Sequence, residues 1–334
     1  MLLERLGRKY RRNSSLPGAV AGKCSRVILR IGNSARVMRY NAGVAPIRLR
    51  SSEPAPKLFA VCFTCGKHFE FVRLALLSLR RTKTVAQIFI FMDRGGPLSV
   101  AQQQVLQAES DLPISFSYTA YPMRAWGPKV ILSQAMAYRT IAEKMSETDF
   151  LMKFDSDVIF VNDGIMRSVL HSTFGAVGTC AASFHRTDRH DEDYMQGGCY
   201  FIRGAELAKI VSIPMPPLVF KRTRWGAIAE DQFFSELLRL AGAAIGYEDY
   251  MYTHPILIQP RTDQRELEAR LQALPGNVDV LHFEGNQDDI VDRSNMAKTY
   301  EFLFGGQTPL ASADGRRSRL SADRLRPAEG DALA

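Results

Sequence analysis

Phe150-Leu151-Met152-Lys153-Phe154-Asp155-Ser156-Asp157-Val158-Ile159-Phe160 holds two carboxylates between two apolar runs. The first run has the length and composition of a strand buried on both faces. Asp-Ser-Asp is also good turn composition, but apolar residues resume at once, so the strand hardly breaks. Two carboxylates placed this close repel each other, and one tends to take up a proton unless a cation intervenes. A hard divalent ion with oxygen ligands relieves that repulsion and keeps positions open for phosphate oxygens. Asp155 and Asp157 are therefore the candidate metal ligands.

Upstream, three more strands are expected. Leu58 to Phe63 is a continuous apolar run. Gln87 to Met92 is a second, closed by Asp93-Arg94-Gly95-Gly96, and Ile114 to Thr119 is a third. Between them residues 68–81, 99–110 and 128–145 carry helical spacing, the last with Pro128 at its start, where proline is tolerated. Strand–helix alternation of this kind predicts an α/β domain with a mixed, mostly parallel sheet flanked by helices. In such sheets ligands bind beyond the carboxyl ends of the strands, where the acidic pair falls. Downstream, strands are expected over 175–180, 199–202 and 278–283, with a helix over 230–240.

An Asp-x-Asp after a fourth strand resembles the GT-A fold of nucleotide-sugar-dependent glycosyltransferases, family 8 and related bacterial enzymes included. The resemblance covers residues 58–305. It implies a single GT-A-like domain in which Asp155 and Asp157 hold Mn2+ or Mg2+ against the diphosphate of a donor, a UDP-sugar being favoured. It also implies donor contacts from Asp155 itself, from Thr64 after the first strand, and from Asp93 after the second.

Three later segments add to it. Gln196-Gly197-Gly198-Cys199-Tyr200-Phe201-Ile202 resembles the glycine-containing entry to a strand beside the donor sugar, where small residues let backbone approach a ligand. Glu230-Asp231-Gln232 opens a helix. Acids in a first turn suit the helix dipole in any protein, but in this fold a Glu-Asp pair supplies an acceptor-facing base, and an Asp-Gln is common in family 8. Both patterns are satisfied, so Glu230 and Asp231 are the candidate catalytic residues. His282, in Leu281-His282-Phe283-Glu284-Gly285, resembles the third metal ligand, and neutral imidazole can join two carboxylates around manganese. The Lys-Pro-Trp expected after it is replaced by Asn286-Gln287-Asp288-Asp289. Lys129, Lys153 and Arg73 are the candidates for the missing diphosphate contact. A polar loop from His185 to Asp193 is read first as a solvated loop and second as a cover over the donor, and Trp126 and Trp225 equally as packing residues or as sugar platforms.

The chain has 334 residues and a net charge of +8, but residues 1–50 hold ten Arg, two Lys and one acid, Glu4. The arm thus carries +11 and the remainder −3, so the high isoelectric point does not call for nucleic acid. Residues 1–56 are expected to form a basic, disordered arm and linker that can touch an anionic membrane. Residues 57–305 form the domain, divided into a nucleotide half at 57–160 and a donor and acceptor half at 161–305. Residues 306–334 form a disordered tail. With no apolar run of 18 residues and no secretory signal, a cytoplasmic protein, membrane-peripheral at most, is expected. Cys62 and Cys65 form a lone C-x-x-C, read as two buried or semi-buried thiols because Cys62 falls inside a strand.

Other classes share parts of this pattern. A haloacid-dehalogenase-like phosphatase would use Asp155 as its nucleophile, but that motif usually opens its domain. A nucleotidyltransferase needs a glycine-rich basic loop where Thr64-Cys65-Gly66-Lys67-His68 stands. A transferase fold without activity, serving as a nucleotide-binding module, is the non-enzymatic alternative.

Overall fold

A computed structural model describes residues 18–51, 55–123, 127–180, 194–216, 219, 229–254, 257, 262–283 and 293–305. The His185–Asp193 loop, Trp126, Trp225, the Glu284–Asp289 segment, residues 1–17 and the tail lie outside these.

The apolar runs become parallel strands because their residues can be covered on both faces. β1 (Leu58–Thr64) pairs in parallel with β2 (Val85–Met92) and with β4 (Phe150–Phe154), and β2 pairs with β3 (Ile114–Tyr118). Side chains alternate across the sheet. Leu58, Ala60 and Cys62 enter one core with α2 (Phe69–Leu79), while Phe59 and Val61 enter a second with α4 (Pro128–Ala142). The intervening α3 (Val100–Ala108) starts with a capping box between Ser99 and Gln102, and α4 starts with Pro128 after Gly127 at φ 114°. An earlier helix, α1 (Gly18–Ala42), precedes the whole sheet.

The second half completes the sheet differently. After β4 come β5 (Val158–Phe160), α5 (Gly164–Leu170), β6 (Ala176–Cys180), β7 (Met195–Arg203) and α6 (Gly204–Val211). Then follow α7 (Glu230–Leu240), β8 (Ile245–Tyr247), β9 (Met251–Tyr252), α8 (Gln264–Gln272), β10 (Val280–His282) and α9 (Arg293–Phe304). The large sheet has the order β3-β2-β1-β4-β7-β6-β8, with β7 antiparallel to both β4 and β6 and the remaining neighbours parallel. The expected class, a mostly parallel sheet flanked by helices, is the one found. Three short strands, β5-β10-β9, form a second sheet.

Two expectations change. Residues 18–42 are helical, where an arm without structure is expected from composition. Asn41 fixes the end of α1 by accepting from the Met215 amide at 2.6 Å and donating to its carbonyl at 3.3 Å, and Val37 is buried against the second core. Charge density hid a helix whose inner side has a place to dock. The strand also does break at Asp155: residues 156 and 157 form a turn, and β5 leaves the large sheet for the small one.

Candidate metal centre and its acidic neighbours

β1 leads by way of β2 and β3 to one side, and β4 lies on the other, so the connection reverses between β1 and β4. The carboxyl ends at this reversal are Thr64 and Phe154, and Asp155 follows immediately. This is the crevice in which open α/β sheets take ligands.

The Asp155 amide still donates to the Gly198 carbonyl at 2.9 Å, extending the β4–β7 ladder by one residue. The chain then turns, and Val158 pairs with His282 at the end of β10. The Phe283 amide donates to the Asp157 carbonyl at 2.9 Å. This pairing sets His282 Nε2 3.8 Å from Asp157 Oδ1. One ligand atom each from Asp155, Asp157 and His282 lies within 4.8 Å of the others. The three residues named from sequence as ligands therefore meet, although about 125 positions of chain separate the acidic pair from the histidine.

The donor set fits a divalent ion. Two carboxylate oxygens and one imidazole nitrogen suit such an ion, which takes further oxygen ligands as well. Burial pushes the Asp157 carboxyl up to about 6, against the opposing pull of His282 and with further help from Asp155. A cation would remove that penalty. Gly198 makes space for the imidazole: a Cβ there would stand 2.6 Å from His282 Nδ1. Gln196, buried at the mouth of β7, reaches His282 Nδ1 at 3.5 Å and Thr253 Oγ1 at 3.4 Å. It directly precedes Gly197-Gly198, but nothing local in the sequence marks it as a neighbour of the histidine.

Lys153 changes role. It points inward from β4, is 1% exposed, and donates to Asp155 Oδ1 at 2.7 Å and to the Gly197 carbonyl. Its ammonium also sits over the Tyr200 ring, 5.6 Å from the centroid. Burial alone would pull its pKa down, but Asp155 and Glu230 outweigh burial and hold it above the ordinary lysine value. It is an internal counter-ion for the acids, not a hand extended to a diphosphate. Arg73 is likewise committed elsewhere, bound to Glu109 through Nε at 2.7 Å and through an Nη at 2.5 Å.

The candidate bases stand across Gly197 from the candidate metal ligands. Asp231, in the first turn of α7, accepts from the Gly197 amide at 3.0 Å and from the Gln232 amide at 2.7 Å. Burial, then the neighbouring Glu230, push its carboxyl up to about 7. Burial also raises Glu230, with Lys153 opposing. Gly197 is thus gripped through its carbonyl by Lys153 and through its amide by Asp231. Below it the Tyr138 and Tyr200 hydroxyls share a 2.7 Å hydrogen bond, a buried pair that sequence spacing does not reveal.

The remaining donor candidates are Thr64, Asp93 and Lys129. Thr64 is buried at the end of β1, its hydroxyl 3.5 Å from the Cys65 carbonyl. Asp93 Oδ1 accepts from the Gly95 amide at 2.8 Å and the Met123 amide at 3.1 Å, so it organises the loop after β2. Lys129 lies in the first turn of α4. Cys62 is fully buried and burial pushes its thiol well up, as a core residue requires, and both cysteines of the C-x-x-C are free thiols.

No family model and no curated protein matches the chain. Solved structures do. The galactosyltransferase LgtC, in complex with donor and acceptor sugar analogs, aligns with 72% of this chain and 95% of its own at 11% identity and a TM-score of 0.49. Mouse xyloside xylosyltransferase 1, in its apo form, aligns with 70% of this chain and 98% of its own at 15% identity and a TM-score of 0.43. The mannosyltransferase PcManGT from Pyrobaculum calidifontis, in complex with GDP-Man and Mn2+, aligns with 83% of this chain and 80% of its own at 11% identity and a TM-score of 0.42. All three are glycosyltransferases. Likeness at these scores is distant, and the chemistry of this chain's own residues has to carry the functional case.

Proposed function

We propose that the protein is a metal-dependent glycosyltransferase that moves a sugar from a nucleotide-diphosphate sugar, a UDP-sugar being favoured, to a hydroxyl acceptor. What carries this is the meeting of Asp155, Asp157 and His282 at the sheet reversal, beside a second, half-buried acid pair, Glu230 and Asp231. Asp155, Asp157 and His282 would hold Mn2+ or Mg2+, which supplies neutralising charge to the departing diphosphate. Gly197 and Gly198 give the donor a backbone surface without side chains. Thr64 and Asp93 line the nucleoside end, and Lys129 faces the phosphates from the start of α4. Asp231, raised towards neutrality and next to Glu230, is suited to take a proton from an acceptor hydroxyl in an inverting transfer. In a retaining transfer the same pair positions the donor.

A nucleotide-binding module without transfer draws on one observation: Lys153 already neutralises part of the charge on Asp155. Calorimetry with uridine and guanosine diphosphates, with and without Mn2+, separates the two, followed by turnover of a panel of nucleotide sugars. Manganese-dependent binding of uridine diphosphate is expected, reduced ~100-fold by Asp157→Ala, since a metal contributes several kcal/mol at phosphoryl oxygens. Metal-independent binding of either nucleotide, unchanged in Asp157→Ala, would sink the proposal. Binding without turnover of any donor would favour the module.

A further inference from the structure

The helix α1 does not belong to the site just described, and its two sides have opposite characters. Its inner side is fixed to the body by Val37, by the Asn41 clasp on Met215, and by the Arg36 guanidinium 5.8 Å above the Tyr121 ring centroid. Just beyond the helix, the Ile47 amide donates to Ser212 Oγ at 3.0 Å. The outer side bears Ile31, Ala35, Met38 and Ala42, all exposed. Ile31 is 56% exposed and Met38 65%. Steps of four, three and four residues put these side chains in one stripe along the helix. Arg30 and Arg39, both exposed, flank the stripe on opposite sides, Arg39 about 40° around the helix from Ala35 and Arg30 about 80° from Met38. No acid occurs between Glu4 and Glu53.

We infer that this stripe is a docking face for an anionic lipid bilayer. Ile31 and Met38 enter the boundary between headgroups and acyl chains, and Arg30 and Arg39 meet lipid phosphates. An apolar strip edged by arginines is the composition that holds a helix in the plane of a membrane interface. The helix lies on the surface and does not span: among the described residues, no helix is long and apolar enough to cross a membrane. Charge favours lipid over a second copy of the chain, because a two-fold contact through the stripe would set arginines against arginines. It also favours lipid over nucleic acid, whose phosphates gain nothing from an apolar centre. The body, net −3 outside residues 1–50, would be turned away from the anionic surface by the same field that draws the arm towards it.

The test uses the full chain in flotation assays with phosphatidylcholine vesicles and with vesicles in which about a third of the lipid is phosphatidylserine. Binding to the anionic vesicles is expected, weakened by salt. Replacing both Ile31 and Met38 by Asp should abolish it while thermal unfolding stays unchanged. Replacing both Arg30 and Arg39 by Gln should weaken anionic binding about 30-fold, at roughly a factor of five for each arginine near the surface. Equal binding to both vesicle types, retention of binding in the Ile31/Met38 double variant, or a dimer that this variant dissociates would each overturn the inference. None of these outcomes depends on transferase activity, so the metal-site proposal stands or falls separately.

Discussion

The two halves of the domain are built on different rules. In β1 to β4 each strand is a local apolar run, and the pairing of β1 with β2 and β4 and of β2 with β3 makes a parallel frame. In the second half the strands other than β7 are short, the nine-residue β7 runs antiparallel between β4 and β6, and a separate small sheet carries β10. The first half supplies Asp155 and Asp157. The second supplies Gly197, Gly198, Asp231 and His282, brought to those two acids from far along the chain. Frame and chemistry are divided along the sequence, and the site exists only where the halves meet.

The sharpest test of that division is Lys153, the frame residue that touches both sides. Lys153→Met leaves Asp155 without its buried partner and frees the Gly197 carbonyl. Breaking a buried pair costs about 3–5 kcal/mol. Asp155 is one-third exposed, so a loss of about 2–4 kcal/mol is expected, read by urea unfolding. A loss below about 0.5 kcal/mol would mean that the two halves are not joined through this amine.

Gly198→Ala asks the same question from the other side. The added Cβ would displace the His282 ring, and about a tenfold loss in manganese affinity is expected at little cost to nucleotide affinity without metal, measured by electron paramagnetic resonance titration. Unchanged affinity would remove His282 from the ligand set.

The pH dependence separates frame from chemistry more gently. The Asp231 carboxyl is raised from 3.8 to about 7, so the folded state holds a proton that the unfolded chain releases. Its contribution to stability is full below 3.8 and is lost as pH rises through about 7, and Asp231→Asn should flatten that decline. If Asp231 is the base, transfer should rise over the same upper part of the range, opposite to stability. Rates that do not change through about 7 would remove Asp231 from proton transfer.

The smallest effect belongs to the frame alone. Arg73→Ala breaks the two-bond contact with Glu109 at a cost of about 1–2 kcal/mol. Nucleotide affinity should not change, as calorimetry would show, because the guanidinium is spent between α2 and α3.

The frame was legible because its signal is local. Continuous apolar runs and helical spacing place β1 to β4 and α4 within a few residues of their observed ends. The acidic pair was legible for the same reason. His282 and Asp231 were reached through resemblance to a family, since no local pattern says that position 282 comes beside position 157. Only the pairing of β5 with β10 does that. The inward turn of Lys153 is not legible, because charge suggests solvent and a buried amine between two acids and a carbonyl is recognisable only with the partners in view. The helix α1 was hidden in the same way, its few docking residues diluted by arginines.

The turn at Asp155–Asp157 has a consequence for how the molecule holds together. It is the seam between two sheets, with Asp155 at the edge of the large one and His282 closing the small one. An ion bound to both would act as a rivet across the seam. The short strands β9 and β10 should then exchange their amide hydrogens more slowly in manganese than in its absence, while β1 and β2 keep their rates. Loading the metal would also be an act of assembly, setting the small sheet in place before the donor arrives.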